Sequence, residues 1–388
     1  MGSCSSCGTA QGSGAIESMP GPDSQRYYDF NRNLKASVSA RRVPTSGTIE
    51  LIENCNFRCV HCYQGMQKHK EVLSAARWKG ILDEVCEAGT LWLLITGGDP
   101  LLHPEFEEIY EVAIRKGLLV NLFTNGSLVR EQHIELFKRF PPFNIEITLY
   151  GMDEETYRGV TGTKGSHAKV MEVCRRLVAA KLPLRLKTMA MKQTAPQIAA
   201  MKRFVEQELG VPFKFDTKID PGIYGDDFSH VRIDPSEQVE LEERVLGVAR
   251  EALAQEYRGL WDDRAKLFVK NNLKDYLYYC EAGKASYYID YRGWVHTCSI
   301  GRLWDEALDL SRHSFREIWD VKLPAVVNAK RRNQNAICHD CEYRSSCDVC
   351  PATAKLATGD REGRPLYICQ VTMQRKLKYL EEQHAAPV

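Results

Sequence analysis

From Thr48 onward the chain alternates between two patterns of apolar and polar positions. Short apolar runs recur at Thr48 to Ile52, Leu91 to Ile95, Leu119 to Phe123, Ile145 to Leu149, Leu184 to Met189 and Phe213 to Phe215, and they read as strands. Between them, apolar residues return at helical spacing over Val72 to Ala88, Glu105 to Lys116, Glu131 to Phe140, Ala168 to Ala180 and Gln197 to Leu209. The punctuation agrees. Gly89 and Gly117 stand at helix ends, Asn125-Gly126 is a turn pair, and Pro141-Pro142 stops a helix. Strands alternating with helices predict a parallel sheet covered by helices, an α/β fold. Six such units are too few for a closed eightfold barrel, so an open, partial (β/α)6 barrel is expected. Ligands of such sheets sit at the carboxyl ends of the strands. There the sequence places a cysteine loop after strand one, Gly97-Gly98 after strand two, and Asn125-Gly126 after strand three.

Beyond Asp220 the alternation ends. Asp234 to Glu256 reads as a long polar helix, and from Cys280 the chain is rich in loops and cysteines. The first residues are small and polar and give folding little apolar surface, with a short helix expected around Tyr27 to Arg41. The expected organisation is a partly disordered tail over 1–46, the barrel over 47–220, a helical linker over 221–279, and a small cysteine-rich domain over 280–388 that ends in a helix.

Composition narrows the function. The chain has 388 residues, 44% of them hydrophobic, which suffices for a substantial core. Lys and Arg total 52 against 51 Asp and Glu. A net charge of +1 gives no pull toward nucleic acid or an anionic membrane. The sequence has neither a transmembrane run nor a signal peptide, so a cytoplasmic location is expected.

The 14 cysteines change the picture most. In a reducing compartment, clustered cysteines are metal ligands more often than disulfides. Cys55, Cys59 and Cys62 are spaced C-x3-C-x2-C on the loop after strand one. Three thiolates can hold three irons of a cubane cluster and leave one iron open to a small molecule. A structural zinc wants four ligands and suits this spacing poorly. The second array is Cys280, Cys298, Cys338-x2-Cys341-x5-Cys347-x2-Cys350 and Cys369, again a metal pattern, with structural zinc as the other reading. Cys86 and Cys174 read as core residues, and Cys4 and Cys7 form a C-x2-C in the tail.

The first motif resembles the signature of radical S-adenosylmethionine (radical SAM) enzymes, and the second array resembles the SPASM domain that follows the barrel in many of them. The resemblance implies that Cys55, Cys59 and Cys62 carry a [4Fe-4S] cluster whose open iron binds S-adenosylmethionine. It implies that His61 lies near the adenine and that Thr96-Gly97-Gly98-Asp99-Pro100 contacts the methionine amino group, with Asp99 in place of the usual Glu. Thr148 matches a serine that bonds the carboxylate or ribose, and Asn125 sits at the mouth of strand three. Carried over from SPASM proteins, Cys338, Cys341, Cys347 and Cys369 would hold one complete auxiliary cluster. Cys280, Cys298 and Cys350 would hold another, with an open iron or a non-cysteine ligand such as Glu281.

Radical SAM–SPASM proteins mostly modify peptides. The loose similarity of Arg42 to Leu51, Thr148 to Gly151, Val160 to Gly162 and Phe213 to Ser236 is to maturases that form thioether or carbon–carbon crosslinks in ribosomally made precursors. That resemblance implies a precursor peptide as substrate, an electron donor such as flavodoxin or ferredoxin, and no nucleic-acid or membrane partner. Only 47 residues precede strand one, too few for a fused leader-binding module, so a separate leader-binding protein or an exposed sheet edge is expected to take that role. Sulfatase-type maturases place an aspartate where Ser299 stands here. A haem- or cofactor-modifying enzyme is another alternative, and a zinc-binding interaction protein is the alternative of a different class.

Overall fold

The computed structural model describes residues 37–65, 72–246, 254–255, 257–259, 262, 275–303, 308–331, 337–341, 343–344 and 347–381. The expected βα alternation is present as β1 (Ser46–Glu50), α1 (Ala75–Glu87), β2 (Trp92–Thr96), α2 (Phe106–Arg115), β3 (Leu119–Thr124), α3 (Glu131–Arg139), β4 (Asn144–Thr148), α4 (Glu154–Thr161), α5 (Ser166–Ala179), β5 (Leu184–Met189), α6 (Ile198–Arg203) and β6 (Phe213–Asp216). Local chemistry sets the boundaries. Helix α1 starts three residues later than its apolar pattern because the Ser74 hydroxyl accepts from the Arg77 amide at 3.3 Å and fixes the first turn. Helix α4 was not expected. Asp153 caps it, accepting from the Thr156 amide at 2.8 Å, and Gly162 ends it in the left-handed conformation.

C-terminal to the sixth strand come α7 (Pro235–Leu246), β7 (Ser286–Ile289), β8 (Val295–His296), a helical stretch over 315–327, α8 (Pro351–Thr358) and α9 (Leu366–Lys376). The helix expected up to Glu256 is described as α7, and most of its remainder lies outside the described residues, as do Cys4, Cys7 and most of the stretch from Tyr27 to Arg41. No helix among the described residues is long and apolar enough to cross a membrane.

The sheet has the order β6-β5-β4-β3-β2-β1-β7-β8. All neighbours are parallel except β7 and β8, which form an antiparallel pair. Strand β7 comes from the cysteine-rich region, yet it pairs with β1 over Ser46 to Ile49. The main sheet therefore extends past the six expected strands. Tyr287 of β7 packs edge-on against Phe315, and the Trp319 indole donates to the Arg42 carbonyl.

Alternation along the strands separates two faces. Ile49, Leu93, Ile95, Val120, Leu122, Ile145, Ile147 and Leu186 join Trp78, Tyr110 and Phe137 of the covering helices in one large core. The opposite face is polar, which is unusual for a parallel sheet buried on both sides. It carries Glu50, Asn121 and Glu146, all buried, and the Lys187 side chain. Glu146 is held by Lys187 and Lys214, each at 2.7 Å, and the Lys187 ammonium lies 3.6 Å from the Phe123 ring centroid. A buried carboxylate between two cations keeps its charge. This concave face leads upward to the strand ends and the first cysteine loop.

Candidate active site

The first cysteine loop leaves the carboxyl end of β1 and is pinned on several sides. The Arg58 amide donates to the Thr161 carbonyl at 2.8 Å, and the Val60 amide donates to the Val160 carbonyl at 3.0 Å, which ties the loop to the end of α4. The Cys62 amide donates to the Cys59 carbonyl at 3.1 Å. The Cys55 sulfur accepts from the Phe57 amide at 3.4 Å and lies 3.7 Å from Asn125 Nδ2. All three cysteines are partly buried rather than sunk in the core. Tyr150 borders the loop beside Cys59, and burial together with that neighbour holds its hydroxyl pKa well above the ordinary range.

The glycines after β2 are required by close approach. A Cβ on Gly97 would lie 2.5 Å from the Ile52 carbonyl oxygen, and one on Gly98 would lie 2.1 Å from that of Asn54. The Gly98 amide donates to the Ile52 carbonyl at 2.7 Å, and the Asp99 amide donates to the Asn54 carbonyl at 2.9 Å. The β2 loop is thus laid directly on the segment that carries Cys55.

Asp99 is fully buried. Its carboxylate accepts from the Leu101 amide at 3.1 Å, the Thr124 hydroxyl at 2.7 Å and the Asn125 amide at 2.8 Å. Burial raises its pKa to about 6 in spite of these donors. Asn125 in turn donates to Asn56 Oδ1 at 2.8 Å, while its Oδ1 accepts from the Ser127 hydroxyl at 2.6 Å. Gly97, Gly98, Asp99 and Asn125 thereby gather around the Cys55 loop. Thr148 is half-buried at the end of β4, and its carbonyl accepts from the Tyr157 hydroxyl at 3.3 Å. His61 meets Tyr150 edge-on with ring centroids 5.4 Å apart, and its Nδ1 is buried without a hydrogen-bond partner. Burial pushes its pKa down to about 4, so the ring is neutral at physiological pH.

The second array gathers as two sets. Cys280, Cys298 and Cys350 pack with Ala282, Ile300, Ala352, Leu356 and Tyr63. The Cys298 sulfur accepts from the Gly301 amide at 3.2 Å, and the Cys350 sulfur accepts from the Thr353 amide at 3.4 Å. In the other set, the Cys347 sulfur accepts from the Thr372 hydroxyl at 3.4 Å and the Cys369 sulfur from Arg364 Nη2 at 3.0 Å. Arg364 also feels the thiols of Cys338 and Cys341. Among the described residues, no three His, Cys, Asp or Glu side chains close around a point small enough for a single metal ion.

These placements fit the groups implied by the motif. The Cys55, Cys298 and Cys350 sulfurs have amide hydrogens beside them, Gly97 and Gly98 lie against the Cys55 segment at a spacing that admits no Cβ, and His61 offers a neutral ring with an unused nitrogen. Sequence reasoning missed Tyr63, Tyr150, Glu50 and Thr353. Tyr63 had a signal in its place directly after Cys62, and Glu50 and Tyr150 lie in stretches, Arg42 to Leu51 and Thr148 to Gly151, that the sequence singled out without naming their roles.

Residues 49–205 match the Radical SAM superfamily. That superfamily implies a [4Fe-4S] cluster and S-adenosylmethionine. The AdoMet-dependent heme synthase of Methanosarcina barkeri (strain Fusaro / DSM 804) is 27% identical over 328 residues, covering 80% of this chain and 92% of that protein. The sporulation killing factor maturation protein SkfB of Bacillus subtilis (strain 168) is 24% identical over 300 residues, or 76% of this chain and 69% of that protein. The crystal structure of Streptococcus suis SuiB bound to precursor peptide SuiA shares the fold, with a TM-score of 0.63 at 15% identity over 93% of this chain and 84% of that one.

Proposed function

We propose that this enzyme is a radical SAM–SPASM peptide maturase that modifies a ribosomally made precursor. Cys55, Cys59 and Cys62 hold the [4Fe-4S] cluster that binds S-adenosylmethionine. A reduced cluster held by these three residues would supply the one-electron chemistry that cleaves the sulfur–C5′ bond of S-adenosylmethionine. His61 packs beside the adenine as a neutral ring, and the Gly97-Gly98 backbone receives the methionine amino group. Asp99 holds Asn125 and the β2 loop in register, and Thr148 faces the carboxylate or ribose. Cys280, Cys298 and Cys350 hold an inner auxiliary cluster, and Cys338, Cys341, Cys347 and Cys369 hold an outer one. A precursor peptide is the partner, joined by a separate leader-binding protein and a small electron donor.

The peptide reading is carried by the SkfB similarity, whose 300 residues extend well beyond residues 49–205 into the cysteine-rich region. A second reading has its own support. The heme synthase similarity spans 92% of that protein, which favours a tetrapyrrole-modifying activity. One experiment separates them. Anaerobically reconstituted enzyme is given S-adenosylmethionine and reductant, with either a short peptide encoded beside its gene or an iron tetrapyrrole. The peptide should gain or lose hydrogen mass and stimulate 5′-deoxyadenosine formation, and Cys55→Ala/Cys59→Ala/Cys62→Ala should abolish both. Stimulation by the tetrapyrrole alone would replace the peptide reading with the second one. Undiminished cleavage in the triple variant would refute the cluster assignment.

A further inference from the structure

One buried network joins the two innermost cysteine regions. Glu50 is the last residue of β1, the strand that leads into Cys55, and it is fully buried. Its carboxylate accepts from Gln64, two residues after Cys62, and from the Tyr288 hydroxyl at 2.8 Å. It also accepts from Arg302 Nη2 at 2.7 Å. Arg302 follows Cys298 by four residues, and its side chain is 4% exposed. It turns inward so that Nε donates to the Ser299 carbonyl at 2.8 Å and Nη2 reaches the Tyr288 hydroxyl at 3.1 Å, with the guanidinium 4.4 Å from the Tyr288 ring centroid. Arg302 Nη1 lies 4.0 Å from Asp290 Oδ2, and Asp290 bonds His296 at 3.1 Å.

The loop between Cys298 and Arg302 is tight. The Gly301 amide bonds the Cys298 sulfur, its carbonyl accepts from the Thr297 hydroxyl at 3.1 Å, and a Cβ on Gly301 would lie 2.9 Å from that sulfur. Tyr63 completes the connection. It follows Cys62 and packs in the same cluster as Cys280, Cys298 and Cys350. Two opposite charges are thus fixed in a space that water does not screen, one tied to each cysteine loop. In such surroundings the reduction potential of a cluster responds to nearby charge and to hydrogen bonds on its sulfurs.

We propose that Glu50 and Arg302 are a positioning pair. They lock the Cys55–Cys62 loop to the Cys298 loop and, as opposed buried charges, set the reduction potential of the cluster held at Cys298. The inference rests on the reading that Cys280, Cys298 and Cys350 hold a cluster, and the experiment tests that reading separately.

Full-length protein is reconstituted anaerobically as wild type, Glu50→Gln, Arg302→Gln, the double variant and Cys298→Ala. Iron per chain is measured, and the inner cluster is titrated by potentiometry followed by electron paramagnetic resonance. Glu50→Gln keeps the side chain's shape, removes a negative charge and should shift the potential upward. Arg302→Gln removes a positive charge and should shift it downward. The double variant removes both charges, so its opposite shifts should offset and return it toward wild type, whereas local damage would accumulate. Arg302→Lys retains the charge and should stay near wild type. Shifts of the same sign in both single variants, or unshifted potentials with full iron, would overturn the pairing. Undiminished iron in Cys298→Ala would instead overturn the cluster reading beneath it.

Discussion

Asp99 shows how one side chain can serve the site without facing it. Two backbone amides and the Thr124 hydroxyl converge on its fully buried carboxylate, which ties the end of β3 to the loop after β2. Its pKa is raised by burial from 3.8 to about 6. A carboxyl group with a raised folded-state pKa favours the fold most when protonated. Its contribution is therefore fully present below about pH 3.8 and is lost as the pH rises through about 6. The difference amounts to about 3 kcal/mol. Denaturation of wild type between pH 4 and 7 should show this loss on the alkaline side, and Asp99→Asn should flatten that part of the profile. A profile as steep in the variant as in wild type would assign the titration to another group. Sequence reading placed Asp99 at the methionine amino group by resemblance. The carboxylate partners found here depend on β2 and β3 lying side by side, a relation absent from the local sequence.

At the scale of single elements, α8 couples helix capping to the inner cysteine set. Cys350 is its N-cap, with the sulfur accepting from the Thr353 amide, and Pro351 occupies the first turn, where a missing N–H costs nothing. The Thr353 hydroxyl donates to Asp220 at 2.7 Å, so the helix start is also held to the segment after β6. Serine caps helices well and alanine does not. In metal-free protein, Cys350→Ala should be less stable than Cys350→Ser by about 0.5–2 kcal/mol by thermal or chemical denaturation. Both should bind less iron than wild type. Equal stability of the two variants would show that the cap contributes nothing. The C-x2-C spacing marked Cys350 as a candidate ligand, but its capping role needed the helix that starts beside it.

For the whole molecule, the decisive contact is β7 against β1. Removing residues 280–388 would leave β1 as an open parallel edge and uncover the surfaces that Tyr287, Phe315 and Trp319 bury. Open apolar edges recruit other chains. The fragment 1–279 should therefore aggregate, measurable as lost soluble yield and increased light scattering, rather than behave as a free barrel. A monomeric, soluble fragment would show the barrel to be independent of its C-terminal partner. Local pattern alone determined the βα alternation, the open rather than closed barrel, and the loop after β1 that carries Cys55, Cys59 and Cys62, because strand and helix periodicities and cysteine spacing are written in neighbouring residues. Tertiary structure decided what joins distant segments. It placed β7 in the main sheet, made the concave face polar with Glu50 and Glu146, laid Gly97 and Gly98 on the Cys55 segment, and paired Glu50 with Arg302. Those relations arise from burial and packing between residues up to about 250 positions apart, where the cost of leaving a charge unpaired selects the partner and sequence spacing carries no record of it.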